Sequence, residues 1–476
     1  MRTNADTGRK SNKDSGLALY PYQREAVAFL QKRGGNAGLF AEMGTGKTPI
    51  ALHYLLEVDT ERILVVCPLS VIGVWAREAK RWHMPFKVYP LSTGTNKRKA
   101  LTVEHIRIDR IRRMVIVNYE SFWREPLRSA ILRYAPDAVV LDEAHRIKGR
   151  NTRQASFAHR LATLPHVKHR LALTGTPVMN GIEDLFSIYK FIDLNVFGSR
   201  WGDFDRRYVT RGGYGGYQII GYRGLDEIKR KVNVTAFQIS KADALSLPAR
   251  IVQIVPVTLG PKTRSLYEQM KRNALIELDS SDGKGVSLSR IVLTTLLRLQ
   301  QLTGGFIPLT LEEKTTIADV GDDKLRTALE LTKDAVDSGE KVVIFCRYIH
   351  DIMRLKEALP KAGIISGSVD ALRREKVLAT LTSGKVKVLL VQISTGALGI
   401  DLTAASVSIF YSTGYSLGEF EQARARLHRH GQTKRVVEYH LQAENTVDEK
   451  IFQALTDKQQ IARKVVSLDY AKGLLK

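Results

Sequence analysis

Eight short apolar runs, most of them β-branched, alternating with helix-length amphipathic segments, leave few folds open to this chain. Four lie in the first half: Ile63–Val66, Met114–Val117, Ala138–Leu141 and Arg170–Leu173. Four lie in the second: Val342–Phe345, Val386–Gln392, Ser406–Tyr411 and Val436–Leu441. Such runs read as strands buried on both faces, and with helices between them they build parallel sheets. The pattern lapses between about Asn180 and Gly339, where helical periodicity dominates, as in Ile291–Leu302 and Leu325–Val336. The expectation is an α/β protein of two parallel-sheet lobes with helical insertions between and within them. Residues 17–250 would form the first lobe, with an insertion at about 180–240. Residues 251–476 would form the second, with an insertion at about 262–335. Residues 1–16 read as a disordered tail, and Gly212–Gly216 and Asp279–Gly285 as exposed loops.

Charge narrows the partner. The 476 residues carry 73 Lys and Arg against 49 Asp and Glu, a net charge of +24. That excess points to a polyanion, nucleic acid first and an acidic membrane surface second. No amphipathic segment with a broad basic face supports the membrane, so none is expected as a partner. No stretch approaches the roughly 18 apolar residues of a bilayer span, and the N-terminus lacks the apolar core of a signal peptide. Cys67 and Cys346 both sit inside apolar runs, which excludes a disulfide framework, and the eleven His show neither HExxH nor a CxxC partner. A soluble protein of a reducing compartment follows: bacterial or phage-host cytoplasm, or the nucleus of a eukaryote.

Two segments carry chemistry. Leu39–Thr48 (LFAEMGTGKT) runs from a short apolar stretch through Gly44, Thr45 and Gly46 into a helix opened by Lys47 and Thr48. Glycines let successive backbone N–H groups point into one concavity, where a helix N-terminus adds positive potential for phosphate. Lys47 would reach the β- and γ-phosphates and the Thr48 hydroxyl would ligate Mg2+. The first glycine usual in such loops is replaced by Ala41. Ala138–His145 (AVVLDEAH) is a strand ending in two carboxylates. Asp142 would hold Mg2+ through water, and Glu143 would polarise the attacking water. Both segments fall at carboxyl strand ends, where open α/β sheets bind ligands. Together they predict a nucleoside triphosphatase using Mg2+.

From about Leu19 to Lys450 the sequence resembles the helicase superfamily with DEAH-type motifs, and within it the Swi/Snf-type DNA translocases. Tyr20–Leu30 looks like that family's adenine-reading segment, with Gln23 as the implied base contact, and Cys67–Trp75 looks like its motif Ia. Leu173–Asn180 (LTGTPVMN) matches the third motif, whose Thr174, Gly175 and Thr176 would couple hydrolysis to lobe movement. In the second half Lys341–Tyr348 resembles the opening strand of the second lobe, and Gly367–Arg374 a motif ending in Arg374. Gln422–Gln432 (QARARLHRHGQ) is the most diagnostic stretch, implying Arg426 and Arg429 as arginine fingers with Gln422 at the nucleotide. Thr446–Glu449 resembles the short acidic motif that follows. The resemblance implies two RecA-like lobes with ATP between them.

Some features depart from the family. Gln392–Leu402 (QISTGALGIDL) carries the coupling positions Gly399 and Asp401, and its Asp401 looks more like strand-separating relatives. The spacing between the third motif and residue 340 is short, and 476 residues occupied by a motor leave no room for the flanking modules of large remodellers. Leu297–Phe306 resembles fork-remodelling, annealing-type relatives. Basic residues cluster at Lys97–Arg113, Arg146–Arg170 and Arg206–Lys231, the last with Trp201, Phe204, Tyr208, Tyr214, Tyr217 and Tyr222 among or beside them. Those aromatics either stack the bases of a single strand or pack a helical insertion. The leading expectation is a DNA-dependent ATPase that translocates along duplex DNA, with single strands as a further ligand. A strand-separating helicase and a non-catalytic DNA-binding protein on a motor scaffold are the alternatives.

Overall fold

The computed structural model describes residues 17–466, apart from residues 109–110, 180, 214–217, 245–246, 281–284, 312–313 and 399. In the first half, β1 (Asn36–Ala41), β2 (Arg62–Cys67), β3 (Lys87–Pro90), β4 (Arg113–Asn118), β5 (Ala138–Asp142) and β6 (His169–Thr174) share one sheet. An antiparallel hairpin of β7 (Val209–Gly212) and β8 (Gln218–Tyr222) stands apart, and β9 (Ala236–Ile239) then returns to close the sheet's edge. The order is β3-β4-β2-β5-β6-β1-β9, with every pairing parallel.

Strand alternation divides the core into two layers, because successive side chains leave a strand on opposite faces. Ile63, Val65, Met114, Ile116 and Val140 pack on one face; Leu64, Val66, Val115, Val117 and Val139 pack on the other. All ten are fully buried, each worth about 1.5–3 kcal/mol over exposure. Only an apolar run can satisfy both layers, which is why these strands announce themselves in the sequence.

The second half repeats the plan. Its elements are β10 (Arg250–Val257), the hairpin β11 (Phe306–Leu311) and β12 (Lys314–Asp319), β13 (Val342–Cys346), β14 (Gly363–Ile365), β15 (Val388–Gln392), β16 (Val407–Phe410) and β17 (Val436–Ala443). The parallel sheet runs β10-β17-β16-β13-β15-β14. All eight predicted runs are strands, with ends shifted by a few residues.

The middle of the chain departs from the helical expectation. The helices Glu183–Ile192, Leu225–Thr235, Gly285–Thr303 and Asp323–Asp337 are present, but so are both hairpins and the edge strands β9 and β10. Edge position is the physical reason. In β10 Val252 and Ile254 stay exposed, so the strand needs no continuous apolar run and leaves no such signature. The tail at residues 1–16 lies outside the described residues, as do most of the expected loops at 212–216 and 279–285. Among the described residues no helix is long and apolar enough to cross a membrane.

Candidate active site

Parallel pairing brings the carboxyl ends of β5, β6, β1 and β9 side by side, so four segments distant in sequence open on one edge. After β1 the chain turns through Gly44 and Gly46, at φ 88° and 80°, into the helix Lys47–Glu57. A side chain at Gly46 would collide with the amide of Gln23, which explains glycine there. Thr45 is buried and its Oγ1 donates to Glu42 O at 2.7 Å, tightening the turn. Lys47 Nζ donates to Ala41 O at 3.0 Å, and Thr48 is half-buried in the first helical turn. Ala41 itself is the last residue of β1, paired with Ile239 and fully buried. A strand position needs no glycine, so the departure from the usual loop pattern costs nothing here.

The two carboxylates at the end of β5 are held differently. Asp142 Oδ2 accepts from Trp75 Nε1 at 2.8 Å, and its Oδ1 accepts from Glu143 N at 3.0 Å. Burial, then the charge of Glu143, pushes the Asp142 carboxyl up to about 6. Glu143 adopts φ 55°, a left-handed conformation that costs a non-glycine residue roughly 1 kcal/mol or more. Burial also works against its charge, but the His145 hydrogen bond, with Lys47 and Arg426, outweighs it and holds Glu143 at about 2. Glu143 Oε2 lies 3.3 Å from His145 Nδ1, which lies 3.2 Å from Thr174 Oγ1. Thr174 Oγ1 in turn accepts from Thr176 N at 3.1 Å. A Cβ on Gly175 would stand 3.3 Å from Ala41 O and Met43 N, so the third motif lies against the glycine loop.

Among the described residues no cluster of three or more His, Cys, Asp or Glu could cage a metal. Magnesium needs no cage when one carboxylate, a hydroxyl and the substrate phosphates share it. The donor set of Asp142, at the carboxyl end of β5, and Thr48, in the first turn after the glycine loop, fits that pattern.

From the second lobe comes the helix Leu417–Leu427 and the turn after it. Arg426 is buried, and Gln422, half-buried, sits one turn earlier on the same face. Burial, then neighbouring Arg429, pushes Arg426 down to about 10, while Glu143 and Asp401 act the other way. A Cβ on Gly44 would stand 3.2 Å from Arg429 Cβ. The diagnostic arginines and the glycine loop therefore meet in one cleft, although the sequence separates them by most of its length. Asp401 Oδ1 accepts from Thr403 N at 2.9 Å and Thr403 Oγ1 at 2.8 Å, closing a local turn, and Leu402 N donates to Arg426 O at 3.1 Å. Gly399 lies outside the described residues.

Residues 22–304, more than half of the chain, match the SNF2-related domain. The chain belongs to the SNF2-related family. Residues 323–431 match the helicase conserved C-terminal domain. Its relatives include an uncharacterized ATP-dependent helicase of Mycoplasma genitalium, 26% identical over 95% of this chain and 42% of that protein. The putative ATP-dependent helicase/translocase YwqA of Bacillus subtilis is 26% identical over 94% of this chain and 49% of that protein. Mouse chromodomain-helicase-DNA-binding protein 1-like is 26% identical, covering 95% and 50%. This chain thus spans about half the length of the curated relatives it matches. Among solved structures, the Sulfolobus solfataricus SWI2/SNF2 ATPase core in complex with dsDNA is 23% identical over 95% of this chain and 98% of that one, with a TM-score of 0.41.

In this SNF2-related site Trp75, Lys241 and Arg424 escape sequence reasoning, whereas Gln23 does not. Gln23 has both ends engaged, with Oε1 accepting from Tyr20 N at 2.9 Å and Nε2 donating to Thr45 O at 3.2 Å. Trp75 is buried inside the helix Ile72–Arg81 and looks like core, yet it is the residue that orients Asp142. Lys241 follows edge strand β9; its N–H donates to Glu42 Oε2 at 3.1 Å and its Nζ to His428 O at 2.9 Å. Its only sequence signal is a lysine just past a short apolar stretch. Arg424, two residues and so about half a helical turn from Arg426, is buried on Glu438 at 2.7 Å and Glu421 at 2.9 Å and faces away from it.

The basic clusters are partly consumed within the protein. Arg112 donates to Thr60 O and Leu55 O, Arg207 and Lys231 pair with Glu227, and Arg211 pairs with Asp205. Phe204 and Tyr208 are buried against Phe197, and Tyr222 donates to Glu183, so these aromatics pack the insertion. Trp201 is partly buried with the Arg150 guanidinium 4.0 Å from its ring centroid. Tyr214 and Tyr217 lie outside the described residues.

Proposed function

We propose that this SNF2-related chain is an ATP-hydrolysing motor that translocates along duplex DNA. The observation that carries the reading is the approach of Arg429 to Gly44, with Arg426 within electrostatic reach of Glu143. Lys47 releases Ala41 O and binds the β- and γ-phosphates in the concavity of loop amides. Glu143, kept ionised, accepts a hydrogen bond from the attacking water and orients it toward the γ-phosphorus. Arg426 and Arg429 meet the charge that develops on the γ-phosphoryl oxygens; such fingers contribute on the order of 10³–10⁵ in rate in related hydrolases. Asp142 and Thr48 would hold Mg2+, which neutralises phosphate charge when bound. Thr174 stands between His145 and Thr176, so a change at the Glu143 carboxylate reaches the third motif through hydrogen bonds. Lobe opening after hydrolysis would move DNA held across both lobes.

The net charge of +24 supports a polyanionic track. Turnover measured with and without blunt duplex, forked DNA, single strands and RNA tests the reading. Duplex should stimulate it, and Lys47→Ala and Glu143→Gln should each abolish it. Triplex displacement without unwinding of a forked duplex is the expected outcome. Robust unwinding would replace duplex translocation with strand separation, and wild-type turnover in Glu143→Gln would remove Glu143 from its role.

A further inference from the structure

Arg429 is aimed by its backbone, and the first lobe holds that backbone on both sides. The segment His428–His430 follows the helix Leu417–Leu427 of the second lobe and turns back at Gly431, whose φ of 96° suits glycine. On one side of Arg429, Lys241 Nζ donates to His428 O at 2.9 Å. On the other, Tyr20 Oη and His430 Nε2 lie 3.0 Å apart. His428 Nε2 also donates to Pro248 O at 2.9 Å, on the chain that passes from β9 to β10. Among the described residues the Arg429 Nε is buried without a hydrogen-bond partner, so none of them fixes the side chain through that atom. Lys241 is itself anchored to the phosphate loop: its N–H bonds Glu42, and its Cε would stand 3.8 Å from a Cβ on Gly44.

These grips oppose a repulsion. Lys47, Lys241, Arg426 and Arg429 converge where a triphosphate would bind; Glu42 beside Lys241 and Glu143 and Asp401 beside Arg426 offset part of their mutual repulsion, and hydrogen bonds oppose the rest. Lys241 is 8% exposed, and a charged side chain rarely stays buried unless its hydrogen bonds are specific. Its position has a topological cause. Because β9 pairs in register with β1, the residue after β9 necessarily emerges beside the residues after β1.

We propose that Lys241 and Tyr20 are positioning residues that set the Arg429 finger, by clamping His428 O and the His430 ring to the first lobe. The proposal rests on the reading of the cleft as an ATPase site. It predicts a division of labour: Arg429 meets the phosphate, while Lys241 and Tyr20 only fix where it stands. A misplacement near 1 Å costs about 10²-fold in rate. Lys241→Met should therefore lower kcat about 10–100-fold, and Tyr20→Phe, which removes only a hydroxyl, about 3–10-fold, both with KM for ATP within about threefold.

A double-mutant cycle and a distance measurement test this. If Lys241 acts through Arg429, Lys241→Met should add no further loss in an Arg429→Ala background. Multiplicative losses, or a KM rise that carries the whole effect, would mean that Lys241 meets the phosphates with its own charge, and would overturn the proposal. Independently of turnover, spin labels on cysteines introduced at the exposed Leu101 and Met353, one per lobe, report the inter-lobe distance in nucleotide-free protein. Lys241→Met and Tyr20→Phe should each broaden that distribution, and Lys241→Arg should restore it in part. A distribution unchanged by both variants sinks the clamp even if ATPase activity is robust. Absent ATPase activity with a broadened distribution would instead fault the catalytic reading and leave the clamp standing.

Discussion

Arg424→Met separates the structural arginine of the QARARLHRHGQ stretch from the two proposed as fingers, Arg426 and Arg429. Arg424 is 7% exposed, with Nε 2.7 Å from Glu438 Oε1 and Nη1 2.9 Å from Glu421 Oε1. Glu438 is 1% exposed; it also meets His440 Nε2 at 3.1 Å and Arg250 Nε at 3.9 Å. Burial works against the Glu438 charge, but the His440 hydrogen bond, then Arg424 and Arg250, hold its carboxyl at about 2. Measured from an ordinary value near 4.3, that depression of about two units corresponds to roughly 3 kcal/mol. The sign is that of a depressed acid: the stabilisation is present above pH 4.3 and lost as pH falls toward 2. Removing Arg424 leaves a buried carboxylate short of its cation, which typically costs about 3–5 kcal/mol. Part of the pull on Glu438 comes from His440 and Arg250, so about 3 kcal/mol at pH 7 is expected. Urea unfolding at pH 7 and pH 4 measures it, and the gap between wild type and variant should narrow at the lower pH. Met at both 424 and 438 should recover most of the loss, because it removes the stranded charge as well. A cost below 1 kcal/mol, or a gap independent of pH, would refute the buried-pair reasoning.

Other outcomes follow from the same physics. Burial pushes Asp351 up to about 6 although Ser412 donates to it, and among the described residues its Oδ1 has no hydrogen-bond partner. A raised acid favours folding below about pH 3.9 and loses that contribution as pH rises through 6, about 3 kcal/mol in total. Asp351→Asn should therefore flatten the stability profile between pH 4 and 7; an unchanged slope in chemical unfolding would count against it. Trp75→Phe removes the Nε1 donor from Asp142 and should cost about 1.5–3 kcal/mol in stability. The same variant should raise the Mg2+ concentration for half-maximal turnover several-fold, and an unaltered Mg2+ titration would contradict that role. Duplex affinity should fall steeply with salt, and a flat dependence between 50 and 200 mM would remove phosphate contacts as its source.

Two kinds of element were legible in the sequence: strands buried on both faces, and loops whose backbone needs glycine. The eight apolar runs, most of them β-branched, fit the inside of a sheet, and the order of GTGKT, DEAH, TGT and QARARLHRHGQ fixed which chemistry the chain could carry. Edge strand β10 left no such mark, since a half-exposed strand tolerates ordinary surface residues, and β9, though largely buried, is only four residues long and includes Gln238. Arg424 and Arg426, two residues apart, looked alike in sequence. Only the helix Leu417–Leu427 decided that one turns into a buried ion pair and the other toward Glu143. Likewise Trp75 and Lys241 are a core aromatic and a stray lysine until β2, β5, β1 and β9 align their carboxyl ends. Sequence determines what each residue can do; parallel register across a sheet determines which residues do it together, because it alone brings strand ends from distant positions to one edge.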